Sequence, residues 1–234
     1  MQEGGKVFII ANHKIADILS KTINIEAIAL PPYSKLDTPV NAHADMLVSV
    51  LEDKIFMYKD YYLKNREALN KIDKNKLTLT EHNCSKEYPG DVALNALIIG
   101  KKMFCNIKHI AKELLDYATI CNYKIIDVKQ GYSCCSTLAI DENHAITSDK
   151  GMYNALKKEN VETLLIDNEN ITLDGYNCGF IGGSGGIISN KVLFFGDIRT
   201  LDDYAKIKDF IGNLNKDILT IFPGGVSDFG TFFV

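Results

Sequence analysis

The sequence predicts an α/β fold, a five-fold pseudosymmetric α/β propeller of β-β-α-β units, on three observations. Segments at a shared phase recur with a period of roughly 45 residues, the signature of one supersecondary unit used repeatedly. They are NAHADMLVSV (41–50), PGDVALNALII (89–99), GYSCCSTLAI (131–140), GFIGGSGGIIS (179–189) and PGGVSDFGTFFV (223–234). After each of the first four, a turn, a second strand, a helical stretch and a further strand follow. The fifth unit is incomplete at both ends of the chain and whole only when the two ends are joined.

Taken in order, the chain opens with the strand KVFII, the helix HKIADILSKTI and the strand IEAIAL. Unit one follows with ADMLVSV, a turn at Glu52 and Asp53, KIFMYK, a helical NREALNKI and KLTLTE. In unit two ALNALII turns at Gly100, Lys101 and Lys102 into MFC, Asn106 caps IKHIAKELLDYAT, and YKIIDV ends the unit. STLAI of unit three turns at Asp141 to His144 into AITSD, Asp149 caps KGMYNALKKEN, and ETLLID follows. Unit four reads GGIIS, a turn at Asn190 and Lys191, VLFFG, a helix LDDYAKIKDFIGNL capped near Thr200, and DILTI. The last strand, DFGTFFV, is expected to pair with the opening one, closing the ring of a single domain over residues 1–234 without a free sheet edge.

Composition narrows the function classes. A chain with 46% apolar residues can bury a substantial core, and a net charge of −4 offers no basic field for nucleic acid. No apolar run approaches the roughly 20 residues that span a bilayer, and no signal-peptide core follows the first residues, so a cytoplasmic protein is expected. Six cysteines form no CxxC pair and read as reduced thiols, with no structural metal.

The five units with the closing one shared between the termini resemble the pentein, or guanidino-modifying-enzyme, fold. More narrowly, HADM, YPGD, VKQGYSCCS, ITSDKG and GFIGGSGG resemble a small functionally uncharacterised family within it. Arginine deiminases and dimethylarginine dimethylaminohydrolases of that fold attack a guanidinium carbon with a Cys thiolate, while a His moves protons and carboxylates grip the nitrogens. The resemblance implies matching candidates here. His43 and Asp45 resemble the His-x-Asp segment, and two residues apart on an extended strand they share a face; the plainer reading is that Asp45 caps a loop or orients a buried His43. Asp91 resembles the acid of a Gly-Gly-Asp segment, with Pro89 in place of the first Gly; a Pro-Gly turn closed by Asp91 on its own backbone is the structural alternative. Cys134 and Cys135 resemble the nucleophile strand of the dimethylaminohydrolases, a register that would choose Cys134, while alternation sends at most one of the two to the axis and leaves the other as core.

One departure stands out: the enzymes carry the nucleophile on the last repeat, where this chain has Ser227 and Asp228. The Gly182, Gly183, Gly185 and Gly186 cluster precedes a hairpin and not a helix, so it is expected to admit close backbone approach or a ligand and not to cradle phosphate. Two functions are carried forward. The first is a Cys-dependent hydrolase or deiminase of a cationic guanidinium- or amidine-like small molecule. Cys134 or Cys135 would attack, His43 would transfer protons, and Asp45, Asp91, Gly182, Gly183 and Asp228 would bind, with no metal or organic cofactor. The second is a non-catalytic pentein that binds a ligand or protein. Oligomeric state stays open.

Overall fold

Residues 7–234 are described in a computed structural model. The expected start of the first strand, at Lys6, lies outside them. Five three-stranded sheets result, one for each repeat. The first holds β1 (Ile9–Asn12) and β2 (Ala27–Leu30), joined by helix α1 (His13–Ile23). Unit one contributes α2 (Ala44–Leu47), β3 (Val48–Leu51), β4 (Lys54–Tyr58), α3 (Lys59–Lys64) and β5 (Leu77–Thr80). Unit two contributes β6 (Leu97–Ile99), β7 (Lys102–Cys105), α4 (Lys112–Ile120) and β8 (Lys124–Asp127). Next come β9 (Thr137–Ala139), β10 (His144–Thr147), α5 (Lys150–Lys158) and β11 (Glu162–Leu165). Unit four has β12 (Gly185–Ile188), β13 (Lys191–Phe194), α6 (Tyr204–Asn213) and β14 (Asp217–Thr220), and β15 (Phe232–Phe233) ends the chain.

In every sheet an antiparallel pair is extended by a parallel third strand reached through the helix. β15 pairs antiparallel with β1, Ile10 opposite Phe233 and Ala11 opposite Phe232, so the split unit is assembled from both ends of the chain. The sheets adjoin in order: α4 lies by β5, β6 by β9, β9 by β12, β12 by β15, and α2 by both β15 and β1. Four units share a further device. Asn24, Asn122, Asn160 and Asn215, each just past its helix, take a left-handed φ between 53° and 59° and turn the chain into the parallel strand. Asn tolerates that conformation better than other residues with a Cβ.

Several local expectations are corrected. ADMLVSV begins as one helical turn, because Met46 and Leu47 N–H both donate to His43 C=O at 3.2 Å; His43 and Asp45 therefore do not alternate on a strand. Only Leu97–Ile99 of ALNALII is strand, since Asn95 N–H turns back to Val92 C=O. Cys134 and Cys135 likewise sit in a turn, closed by Ser136 N–H on Tyr132 C=O at 2.9 Å, and strand alternation does not govern them. Unit one's helix is Lys59–Lys64, ahead of the expected NREALNKI. Asn106 holds a turn through Lys108 N–H and α4 starts only at Lys112. Asp197, not Thr200, caps a short 3-10 turn before α6. The expected cap Asp149 does bond the first turn of α5, and Asn12, not among the expected caps, does the same for α1. No helix among the described residues is long and apolar enough to cross a membrane.

Candidate functional site

The repeat-start loops of units one, three, four and five meet where the inner strands begin. Gly183 is the hub: its C=O accepts from the N–H groups of Phe229, Gly230 and Thr231 at 3.0 to 3.1 Å, and its own N–H donates to Cys135 C=O. A Cβ on Gly182 would stand 2.1 Å from Cys134 O, and one on Gly183 2.0 Å from Asp228 Oδ1. Close approach is what these two glycines permit; neither has a positive φ. Gly230 does, at +79°, and a side chain there would also strike His43.

Asp228 is buried. Its Oδ2 accepts from Phe180 N–H at 2.9 Å and its Oδ1 from Gly230 N–H at 3.0 Å, with His43 Nδ1 at 3.6 Å. Burial raises its carboxyl to about 6 against the pull of the two amides. His43 is buried too, and desolvation, helped by Lys14, lowers it to about 3, so its imidazole is neutral at pH 7.

Asp45 is fully buried, and neither carboxylate oxygen has a hydrogen-bond partner among the described residues. Burial and the neighbouring Asp228 push it up to about 8, while the adjoining Cys135 thiol opposes the rise. Its backbone N–H is held by Gly230 C=O. Asn95 ties this corner together. Its Nδ2 contacts Asp45 C=O and Cys135 Sγ, both at 2.9 Å, and its Oδ1 accepts from Cys134 N–H at 2.8 Å and Cys135 N–H at 3.3 Å.

Cys135 is thus a buried thiol between Asn95, Met46 and Asp45, raised well above the ordinary range by burial and then by the two acids. Cys134 is the more exposed of the pair, and burial followed by Asp45 raises it as well. Both thiols are protonated at neutral pH.

Asp91 stands apart from this cluster. Its Oδ2 accepts from Tyr132 O–H at 2.7 Å and its Oδ1 is buried without a partner among the described residues; burial raises its carboxyl. The mouth at His43 and Asp228 is a cleft of about 70 Å³ shared with Asn12, Lys14, Thr172 and Ser227. That space suits one or two waters or a compact ion, at about 30 Å³ per water. Neither cysteine nor Asp91 lines it.

His43, Asp45, Asp228, Gly182, Gly183 and Cys135 are therefore brought together, Cys134 borders them, and Asp91 is held one aromatic residue away. Sequence reading missed Asn95, Tyr132, Phe180 and Gly230. A lone Asn inside the apolar run ALNALII is the one signal that marked Asn95. Among the described residues no group of three acidic, His or Cys side chains is arranged to hold a metal ion.

The profile of a Family of unknown function (DUF6873) matches residues 10–233. No curated protein sequence matches. Among solved structures, the chain is similar to a dimethylarginine dimethylaminohydrolase adduct with 4-chloro-2-hydroxymethylpyridine, at 10% identity and TM-score 0.59 over 91% of both chains. An agmatine deiminase from C. jejuni matches at 15% identity and TM-score 0.52 over 92% of this chain and 76% of that one. Inosamine-phosphate amidinotransferase from Streptomyces griseus matches at 12% identity and TM-score 0.52, over 89% and 73%. At such identities the likeness shows the fold, which is that of the pentein superfamily.

Proposed function

We propose that this chain, which belongs to the family of unknown function whose profile it matches, is a single five-unit domain that takes up a small guanidinium- or amidine-type cation. On this reading it is a cytoplasmic Cys-dependent hydrolase or deiminase. The observation that carries the proposal is the Asp45 carboxylate, buried, unpartnered and set against the Cys135 thiol.

A lone buried carboxylate either keeps a proton or waits for a cation. Burial first, and the neighbouring acids second, keep both thiols protonated. A bound cation reverses that balance, since its charge stabilises thiolate and carboxylate alike. Asp45, set against the Cys135 thiol, is then the carboxylate placed to take its proton, whereas His43 is lowered to about 3 and faces Asp228. The thiolate sulfur would bond to the amidine carbon, an amine would leave carrying the proton Asp45 took from the thiol, and water would then displace the sulfur from the S-linked amidine adduct, releasing the amide- or urea-type product and restoring the thiol. Asp228 and the Gly182 and Gly183 backbone shape the floor, and Asp91 is an outer acid for the ligand.

A second reading, a non-catalytic ligand- or protein-binding module, is favoured by the closure of Cys135 behind Asn95 and Met46. Labelling with a cationic haloacetamidine against neutral iodoacetamide, followed by peptide mapping, separates the two. The partly exposed Cys121 and Cys178 should react with both reagents. Cys134 or Cys135 should react preferentially with the amidine, losing that preference in Asp45→Asn and reacting more slowly in His43→Ala. No reagent preference at either cysteine establishes the binding module.

A further inference from the structure

β1, β3 and β15 lead away from the axial cluster to a second cavity at their other ends. Asn12, where β1 ends, lines the axial cleft, whereas Val7 and Phe8, just ahead of β1, line this cavity. Val50 and the Glu52–Asp53 turn line it as well, about 13 Å of β3 beyond Asp45. No residue lines both. The cavity measures about 470 Å³, within the range of about 300–1,000 Å³ that takes small organic ligands. Its floor, Ile10, Ile28, Val50, Ile55, Ile72 and Phe233, is apolar throughout. Val7 and Val234 stand at its edge, 57% and 55% exposed, and carry apolar surface out to solvent. Charges at the mouth divide by side. On the β3–β4 turn, Glu52 is held by Lys101 and Tyr123 O–H, and Asp53 accepts from Tyr117 O–H at 2.9 Å. On the loop between α3 and β5, Asp73 accepts from Asn75 N–H and Lys71 pairs with Glu26. The Lys76 ammonium has no hydrogen bond or ion pair among the described residues. That loop is basic as a whole, since Lys64, Arg66, Lys71, Lys74 and Lys76, all exposed, outnumber Glu67 and Asp73.

We propose that this cavity is a second ligand site, for a medium-chain carboxylate whose alkyl chain lies on Ile10, Val50 and Phe233 and whose head meets Lys76. The site needs neither the cysteines nor the axial acids. An apolar floor of this size gains from burying an unbranched chain. Charge then selects the head. A carboxylate finds an ammonium with its donors free and a basic loop behind it, whereas an amine would meet that same positive loop, opposite acids already engaged. The floor residues line a concavity, which suits one molecule and not the flat surface of a membrane. Such a ligand bridges the β1–β15 seam to unit one, so it also stabilises the folded chain.

The test is an NMR titration of the isotope-labelled full chain with octanoate, hexanoate and octylammonium at low salt. Octanoate should saturate, shift the Ile10, Val50, Ile55 and Phe233 signals, and bind about tenfold tighter than hexanoate. Octylammonium should bind about fivefold more weakly than octanoate. Lys76→Glu, at an exposed position that leaves the fold intact, should weaken octanoate about fivefold and remove most of its salt dependence. Val50→Phe, which fills the cavity, should abolish saturation. Octylammonium as tight as octanoate, or octanoate affinity unchanged in either variant, would overturn the proposal. It would also fail if octanoate gave no saturable shift while the chain bound phosphatidylglycerol vesicles, or formed a dimer that Val50→Phe breaks; the face would then belong to a membrane or to a second copy.

Discussion

The Gly183 backbone rests on the Asp228 carboxylate so closely that a Cβ would sit 2.0 Å from Oδ1. Asp228 can keep its two amide hydrogen bonds only while position 183 is bare. Gly183→Ala should therefore cost about 1–3 kcal/mol through overpacking and disturb the proposed cation site beside Asp228. Gly212, on the exposed face of α6 with open space around it, is the contrast: Gly212→Ala should stabilise by about 0.5–1 kcal/mol through helix propensity. Chemical denaturation of the two variants checks both signs.

Asn95→Leu should be among the most damaging single changes in the chain. It fills similar space but strips acceptors from the buried Cys134 and Cys135 N–H groups and a donor from Asp45 C=O. Each buried group left unsatisfied costs about 1–3 kcal/mol. Asn95→Asp should keep the acceptor yet add a third acid, and the thiols should then label more slowly at pH 8 than in the wild type.

Stability should decline as pH rises from 6.5 to 8. The Asp45 carboxyl titrates near 8 when folded and near 3.8 otherwise, so folding favours its protonated form; the stability present below about pH 4 is lost progressively up to about pH 8. His43 works in the opposite sense, lowered from 6.5 to about 3, and its penalty accumulates only as pH falls below 6.5. Above 6.5 Asp45 governs. Thermal melts of Asp45→Asn should lack this decline, and a guanidinium-type ligand should reduce it in the wild type.

Phe232 is buried where β15 meets β1, in one cluster with Ile9, Leu193 and Phe195. Phe232→Ala should cost about 3–5 kcal/mol, and removal of β15 should abolish the cooperative melt by exposing two sheet edges. Circular dichroism melts of both variants test this.

Periodicity made the architecture legible. The hairpins, the cap Asp149 and the split fifth unit follow from local patterns that hydrogen bonds then satisfy as expected. Exceptions cluster where tertiary contacts override local preference. ADML coils because His43 C=O and Gly230 C=O take its N–H groups, and the SCCS turn forms around the Asn95 amide. Repeat phase and the family resemblance pointed to His43, Asp45, Asp228 and the Cys134–Cys135 pair, without choosing Cys135 over Cys134. Their protonation did not follow from sequence, because burial sets it, and the separation of Asp91 depends on Tyr132, which lies within VKQGYSCCS but carries no residue-type signal of that role.

The pairing of Ile10 with Phe233 joins residues almost a full chain length apart. Closing so long a loop forfeits entropy before any of its contacts can repay it, whereas each hairpin and its parallel strand closes within one repeat. Four sheets and the β1–β2 pair of the fifth thus close between near neighbours, and only the addition of β15 waits on the meeting of the ends. The residues on either side of that seam, His43 from the first repeat and Asp228 from the last, come within reach of each other only at that final step. Assembly of the axial cluster thereby becomes a report that folding is complete.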